Sequence, residues 1–286
     1  MTITTREIAA HGLTFTCREA GAGGEPIILL HGFPETSHMW TALMPQLAGA
    51  GYRCLAPDQR GYSAGARPEG VEHYRYEDIS DDVIALADAW GVGRFHLVGH
   101  DWGSLCGWAV VDRYPERVAS WTAMSVPHAK AFAMAVRDDP EEEPYRQLLQ
   151  LFQTVGVADQ TGEANEYALF RGAWTESDAA EVEAYLEVFR QPGAITGALN
   201  WYRASRGHAR SLDDDSVAFG PVTLPAQLIW GSEDAYIRRS SVDLAKPYMR
   251  GSYRVIELKA GHWLAQEKPA EVLAAILEHV RANPIG

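Results

Sequence analysis

Three short segments of this chain hold residue types capable of nucleophilic and acid–base chemistry, and each contains a glycine. The first is Gly99-His100-Asp101-Trp102-Gly103, where the apolar run Phe95–Val98 gives way to a helix-like stretch from Ser104. A side chain at the middle of a sharp strand-to-helix turn is pushed out above the sheet, and flanking glycines relieve the crowding. The usual occupant of such a turn is Ser; here it is Asp101. Ser104 falls inside the helix, where a small residue serves packing. The second segment, Gly231-Ser232-Glu233-Asp234, follows the apolar Gln227–Trp230. The third, Ala260-Gly261-His262-Trp263, lies between the strand-like Arg254–Leu258 and the last helical stretch. Each residue alone is weak evidence, because an Asp in a turn is usually a cap. Together they stand at three strand ends in the order nucleophile, acid, histidine.

An Asp nucleophile narrows the reaction. A carboxylate attacking an ester or amide carbonyl forms an anhydride and gains nothing. Attack on a saturated carbon gives an ordinary alkyl ester on Asp101, which water activated by His262 can then hydrolyse. Asp234 would orient His262 and stabilise its cation. Esterase, lipase and peptidase chemistry recede; opening of an epoxide or a carbon–halogen bond comes forward. Neither step needs a metal or an organic cofactor.

The surrounding sequence supplies elements to position these groups. Pro26–Leu30 reads as a strand buried on both faces, followed by His31-Gly32-Phe33-Pro34-Glu35. Thr36–Leu47 reads as a helix, Tyr52–Ala56 as a strand, and Asp78–Trp90 as a helix capped by Asp78 or Ser80. Ser104–Tyr114 is a helix stopped by Pro115, and Ala119–Met124 is a strand. This alternation implies a parallel sheet covered by helices. Between Ala129 and Gly220 strand signals almost vanish, and helices are expected over Glu143–Val155, Glu163–Trp174, Asp178–Arg190 and Thr196–Arg206. The rhythm then returns, with Pro269–Arg281 as the closing helix and proline in its first turn. The expected organisation is an α/β core, residues 1–128 and 221–286, interrupted by a helical cap, residues 129–220.

Composition sets the outer bounds. The chain has 286 residues, 47% hydrophobic and 22% charged, which is ordinary for a globular protein. With 25 Lys and Arg against 38 Asp and Glu the formal charge is −13. No basic stripe suggests nucleic acid or an anionic membrane as a partner. The 3 cysteines, Cys17, Cys54 and Cys106, are far apart and have no metal-type spacing, as expected of reduced thiols in the cytoplasm. No signal peptide and no membrane-spanning run is expected. A homodimer is compatible with the sequence, which does not decide oligomeric state.

HGFPE, GHDWG, ERV (Glu116–Val118), LNWYR (Leu199–Arg203) and AGHW together resemble the α/β-hydrolase family, and within it the epoxide hydrolase branch. The likeness runs from the first buried strand to the last helix. It implies the α/β-hydrolase fold, a mostly parallel central sheet flanked by helices with an inserted helical cap. It also implies an oxyanion hole from the backbone N–H groups of Phe33 and Trp102. Epoxide hydrolases present two cap tyrosines over the nucleophile, to protonate the oxygen of the opened ring. Tyr202 in LNWYR matches one. The other is expected four residues before Phe152, where this chain has Leu148; Tyr145, about one helical turn earlier, is the candidate substitute, and a helix-surface aromatic is the competing reading. His128 or water is a further possible donor. The family more often has glycine where Ser63 stands.

The implied activity is cofactor-independent hydrolysis of an epoxide to a vicinal diol. Haloalkane dehalogenases share HGFPE and GHDWG, and Trp102 fits a halide site as well. Phe33, however, replaces the asparagine that commonly completes one. A catalytically silent, ligand-binding member of the fold is the third reading, motivated by Leu148. The substrate is expected to be a small apolar molecule, in a pocket drawing on Pro34, His128, Leu148, Phe152, Trp174 and Trp263.

Overall fold

The computed structural model describes residues 2–205 and 219–286. Eight strands form one sheet among the described residues: β1 (Thr4–Ala10), β2 (Leu13–Ala20), β3 (Pro26–Leu30), β4 (Arg53–Pro57), β5 (Phe95–His100), β6 (Val118–Met124), β7 (Ala226–Gly231) and β8 (Tyr253–Leu258). Their spatial order is β1-β2-β4-β3-β5-β6-β7-β8. β1, β2 and β4 pair antiparallel, and every pair from β4 onward is parallel. The strands β3, β5, β6 and β7 are buried along their whole length, which explains why they are mostly apolar on both faces. The helices are α1 (Met44–Gly49), α2 (Tyr76–Ala89), α3 (Trp102–Arg113), α4 (Ala129–Asp138), α5 (Glu143–Gln153), α6 (Val157–Arg171), α7 (Ala179–Phe189), α8 (Ala194–Ala204), α9 (Arg239–Ala245), α10 (Leu264–Glu267) and α11 (Pro269–Ala282). Helices α2 and α3 pack together, as do α1 and α11, while α4–α8 all fall between β6 and β7.

Several expectations need correction. The helix expected over Thr36–Leu47 is a 3-10 turn, Ser37–Trp40, followed by the short α1. Pro45 accounts for this: without an N–H it starts a helix but cannot sit inside one. Neither Asp78 nor Ser80 caps α2, which begins at Tyr76 with Arg75 at the cap. Asp78 lies in the first turn instead, and the Ser80 hydroxyl donates to the Glu77 carbonyl. Helix α6 starts six residues before the expected Glu163, where the Asp159 carboxylate accepts from the Gly156 N–H at 2.9 Å. Arg206, the expected end of α8, lies outside the described residues. The β1–β2 hairpin was not expected. Its turn is His11-Gly12, with φ of 50° and 73°, and β1 buries only Ile8 and Ala10, so its apolar signal is faint.

The elements converge on one edge of the sheet. The loops after β3, β5, β7 and β8 carry Phe33, Asp101, Asp234 and His262 to the C-terminal ends of parallel strands, where open α/β folds build their sites. Helix α8 lies unusually close to the loop after β4. The trace of Gly197 almost touches that of Gly61, so a Cβ on Gly197 would sit 2.8 Å from the Gly61 Cα. The Trp201 indole N–H donates to the Arg60 carbonyl at 2.8 Å beside this contact. Arg60 in turn forms a buried, two-pronged ion pair with Asp82 of α2 at 2.6 and 2.7 Å, and Asp82 also binds the hairpin residue His11.

Candidate active site

Asp101 occupies the turn between β5 and α3 with φ 53° and ψ −117°, a left-handed conformation that a side chain adopts only under constraint. Three contacts impose it. The Asp101 N–H donates to the Met124 carbonyl, and the Asp101 carbonyl accepts from Ser104 and Leu105. Gly103 brings α3 so near β3 that a Cβ there would lie 2.2 Å from the Leu30 carbonyl oxygen. Ser104 is buried and donates its hydroxyl to the Gly99 and Met124 carbonyls, which makes it a clamp for the turn.

Around Asp101 the other groups assemble. The Phe33 N–H donates to Asp101 Oδ1 at 2.8 Å. His262 Nε2 stands 3.4 Å from Asp101 Oδ2, and its Nδ1 stands 2.8 Å from Asp234 Oδ2. The second Asp234 oxygen accepts from the N–H groups of Tyr236 and Ile237, at 2.8 and 2.9 Å, which fixes the carboxylate. The Trp102 N–H opens α3 directly after Asp101. Burial alone would raise the Asp101 carboxyl, but His262 and the Phe33 N–H hold it below the usual carboxylate range. Burial alone would likewise lower His262; Asp234 and Asp101 overcome it and push the imidazole up to about 10.

Asp101 and His262 open onto a cavity of about 100 Å³ whose walls include Phe33, Pro34, Leu148, Phe152 and Trp263. Tyr145 and Tyr202 line it too, one from α5 and one from α8. Tyr145 is therefore directed at the site and is not a surface aromatic. Leu148 lines the same cavity from the next turn of α5. Burial raises both phenols well above their ordinary range, and the Asp101 charge adds to the rise, so both remain protonated donors. Tyr145 also borders a neighbouring apolar cavity of about 370 Å³ between α3, α4 and α5.

Two expected pocket residues stand outside these walls. His128 caps α4, stacks on Tyr248 at 4.5 Å and faces the Gly220 carbonyl; burial lowers it to about 4. It does not line the cavity at Asp101. Trp174 packs on Tyr185 at 5.3 Å and gives its indole N–H to the Pro34 carbonyl, so it buttresses the loop behind Phe33.

Other residues were missed. His100 Nδ1 meets the buried Glu35 carboxylate at 3.0 Å, and its Nε2 meets the His262 carbonyl at 2.9 Å. A carbonyl only accepts, so Nε2 must donate, and the main chain of His262 is thereby tied to the strand that bears Asp101. Glu35 also accepts from Gln266 and from Tyr185. The available signal was a His at the end of an otherwise largely apolar strand and a Glu in the loop after β3. Tyr236, edge-on to His262 at 5.1 Å, gave no comparable signal. Ser63, at the position where glycine is commoner, accepts from the Thr16 N–H at 2.9 Å and so ties its loop to β2. No group of three or more His, Cys, Asp or Glu side chains able to hold a metal occurs among the described residues. Nor is any helix among them long and apolar enough to cross a membrane.

A mostly parallel sheet with Asp101 on the β5–α3 turn, Asp234 after β7 and His262 after β8 defines a class, and the chain belongs to it: residues 25–269 match the α/β-hydrolase fold family. Among its relatives, the AB hydrolase superfamily protein YfhM of Bacillus subtilis is 32% identical over 283 residues, covering 96% of each chain. Epoxide hydrolase A of Mycobacterium tuberculosis is 31% identical, again over 96% of each. Among solved structures, a Bacillus megaterium epoxide hydrolase in complex with an inhibitor superposes with a TM-score of 0.88. It is 25% identical, and the match covers 96% of this chain and 100% of that one. These likenesses set the chain among the hydrolases of its fold.

Proposed function

We propose that this protein opens an epoxide to a vicinal diol through a covalent ester on Asp101. The observation that carries the reading is the content of a single cavity: a carboxylate nucleophile, a carboxylate-backed histidine and two protonated tyrosines. In the first step Asp101 Oδ attacks a ring carbon, the carbon–oxygen bond breaks, and the departing oxygen takes a proton from Tyr202 or Tyr145. The tyrosines are what an alkoxide requires and a halide does not. In the second step His262 takes a proton from water, which attacks the ester carbonyl. The oxyanion forms on Asp101 itself, next to the N–H groups of Phe33 and Trp102. Hydrolysis of the ester yields one proton overall, which restores the tyrosine.

The high basicity of His262 fits this order. In the resting site two carboxylates keep it protonated. Esterification removes the charge of Asp101, so His262 loses one of the two groups that hold its proton, releases that proton to solvent and becomes available as a base; it takes a proton up again when the Asp101 charge returns. Residues 129–220 act in this reading as a cap over the core of residues 1–128 and 221–286; Tyr145, Leu148 and Phe152 of α5 and Tyr202 of α8 are its contribution to the cavity. Names of the relatives, epoxide hydrolases in several organisms, support the same substrate class. A small, largely apolar epoxide suits the walls.

A single turnover in ¹⁸O-water, with enzyme in excess, tests the mechanism. The diol should emerge without label and Asp101 should gain it, because water attacks the ester carbonyl. Label in the diol would mean direct attack by water on the epoxide.

A further inference from the structure

Two carboxylates meet at the seam between α7 and the core. Glu181, in the first turn of α7, and Glu35, in the loop after β3, both accept from the side-chain amide of Gln266 on α10, at 3.0 and 2.6 Å. The Tyr185 hydroxyl, one turn along α7 from Glu181, reaches the same two acceptors, Glu181 at 2.5 Å and Glu35 at 3.3 Å. Glu35 and Tyr185 are buried and Glu181 is half-buried. Gln266 Oε1, by contrast, is buried without a hydrogen-bond donor. Other charged and titratable groups reach this seam from each neighbouring element. His100 of β5 faces Glu35 at 3.0 Å. From the 3-10 turn Ser37–Trp40, the His38 ring stands edge-on to Tyr185 at 6.3 Å, and burial lowers its pKa. Asp178 caps α7 by accepting from the Ala180 and Glu181 N–H groups, and Arg203 of the adjoining α8 is paired with Asp159.

We propose that Glu181, Glu35, Gln266 and Tyr185 form a proton-operated clasp between α7 and the core, closed when Glu181 carries a proton and loosened when Glu181 is ionised. The clasp needs only that α7 lies on the core, not that the substrate is an epoxide. Two carboxylates gathered around one amide and one hydroxyl repel each other in a site shielded from water. A proton on Glu181 removes that repulsion and adds a donor to a cluster in which Gln266 Oε1 lacks one. Burial lifts Glu181 above the ordinary carboxylate range, and the charge of Glu35 adds to the rise, against the hydrogen bonds from Tyr185 and Gln266. A carboxyl raised in this way stabilises the closed form fully below its ordinary range, and the advantage is lost as pH rises through the raised value. The clasp grips the two loops that build the site: Glu35 follows Phe33 by two residues, and Gln266 follows His262 by four. An ionised Glu181 lets α7 lift from both loops, which eases exchange of small molecules with the cavity; a protonated one holds it down.

Amide hydrogen exchange on the full chain, corrected for the pH dependence of intrinsic exchange, reads the clasp without any substrate. Protection of α7 should fall on the order of tenfold between about pH 5.5 and about pH 8, the size expected of a like-charge contact in a half-buried site. Glu181→Gln keeps an acceptor for the Tyr185 hydroxyl and cannot ionise, so its α7 should stay protected at both pH values. Glu35→Gln removes the opposing charge and should flatten the pH dependence as well, which keeps the test open if Glu181→Gln folds poorly. Protection of α7 that does not change with pH in the wild type, or a pH dependence that persists in both variants, would overturn the clasp. Because no turnover is read, the two readings fail separately. A protein that opens no epoxide but loosens α7 with pH would remove the function proposed above and leave the clasp standing; a flat exchange profile in an active epoxide hydrolase would remove the clasp alone.

Discussion

His262 sits between two carboxylates, and that placement governs its proton. Nδ1 faces Asp234 at 2.8 Å and Nε2 faces Asp101 at 3.4 Å, with the ring buried. Its pKa is raised to about 10, above the ordinary 6.5. The ion pair therefore stabilises the fold fully below about pH 6.5, and its contribution fades as pH rises through about 10. Asp101→Asn mimics the loss of charge that the proposed esterification would bring. The His262 pKa should fall, and the alkaline loss of stability should begin at lower pH. An NMR titration of the His262 ring in wild type and variant checks this; superimposable curves would mean that Asp101 does not control the base. Asp101, Asp234 and His262 could be singled out in sequence because each lies within three residues of a glycine in the segment that follows or ends a strand. The network of Glu35, His100, Tyr185 and Gln266 was not, because its members meet only through folding, from positions 35 to 266. Tyr145 was visible as a candidate, but its direction depends on how α5 is rotated, which spacing from Phe152 alone does not determine.

Helix α8 carries Tyr202 to the cavity, and the contact that allows this is Gly197 on Gly61. A Cβ at 197 would stand 2.8 Å from the Gly61 Cα and carbonyl oxygen, so backbone must move to admit it. Gly197→Ala should push α8 outward and shift Tyr202 and its neighbour Trp201. Ring opening should fall by about tenfold to a hundredfold, since a displacement near 1 Å at a reacting group has effects of that order. Ester hydrolysis, which uses groups on the core loops, should change far less. Rapid-quench measurement of both steps decides the matter; equal slowing would indicate general unfolding rather than a moved tyrosine. The strands and most helices that frame the site were readable from apolar runs and proline positions. Helix ends were not: α2 starts without a side-chain cap, and α6 starts at a glycine whose N–H the Asp159 carboxylate accepts. The β1–β2 hairpin escaped because an edge strand with an exposed face offers little hydrophobic periodicity.

The molecule ties its parts to the site by a few polar links. His11 of the hairpin binds Asp82 of α2, Asp82 binds Arg60 of the loop after β4, and the Arg60 carbonyl binds Trp201 of α8. The edge of the sheet is thus connected to the helix that bears Tyr202. The family likeness was legible in the sequence because its motifs, HGFPE, GHDWG and AGHW, coincide with strand ends, where side-chain type is most constrained by geometry. Leu148 left the activity open between an enzyme and a silent binder, and the choice rests on whether Asp101 forms an ester. The intact mass of His262→Gln after exposure to a panel of small epoxides and haloalkanes reports that bond on the whole protein. The variant keeps the nucleophile and both tyrosines but lacks the base, so the ester should accumulate as a gain of one whole epoxide, mapped by peptide analysis to Asp101. A folded variant that gains no epoxide mass, or gains a haloalkane less hydrogen halide instead, would contradict the function proposed.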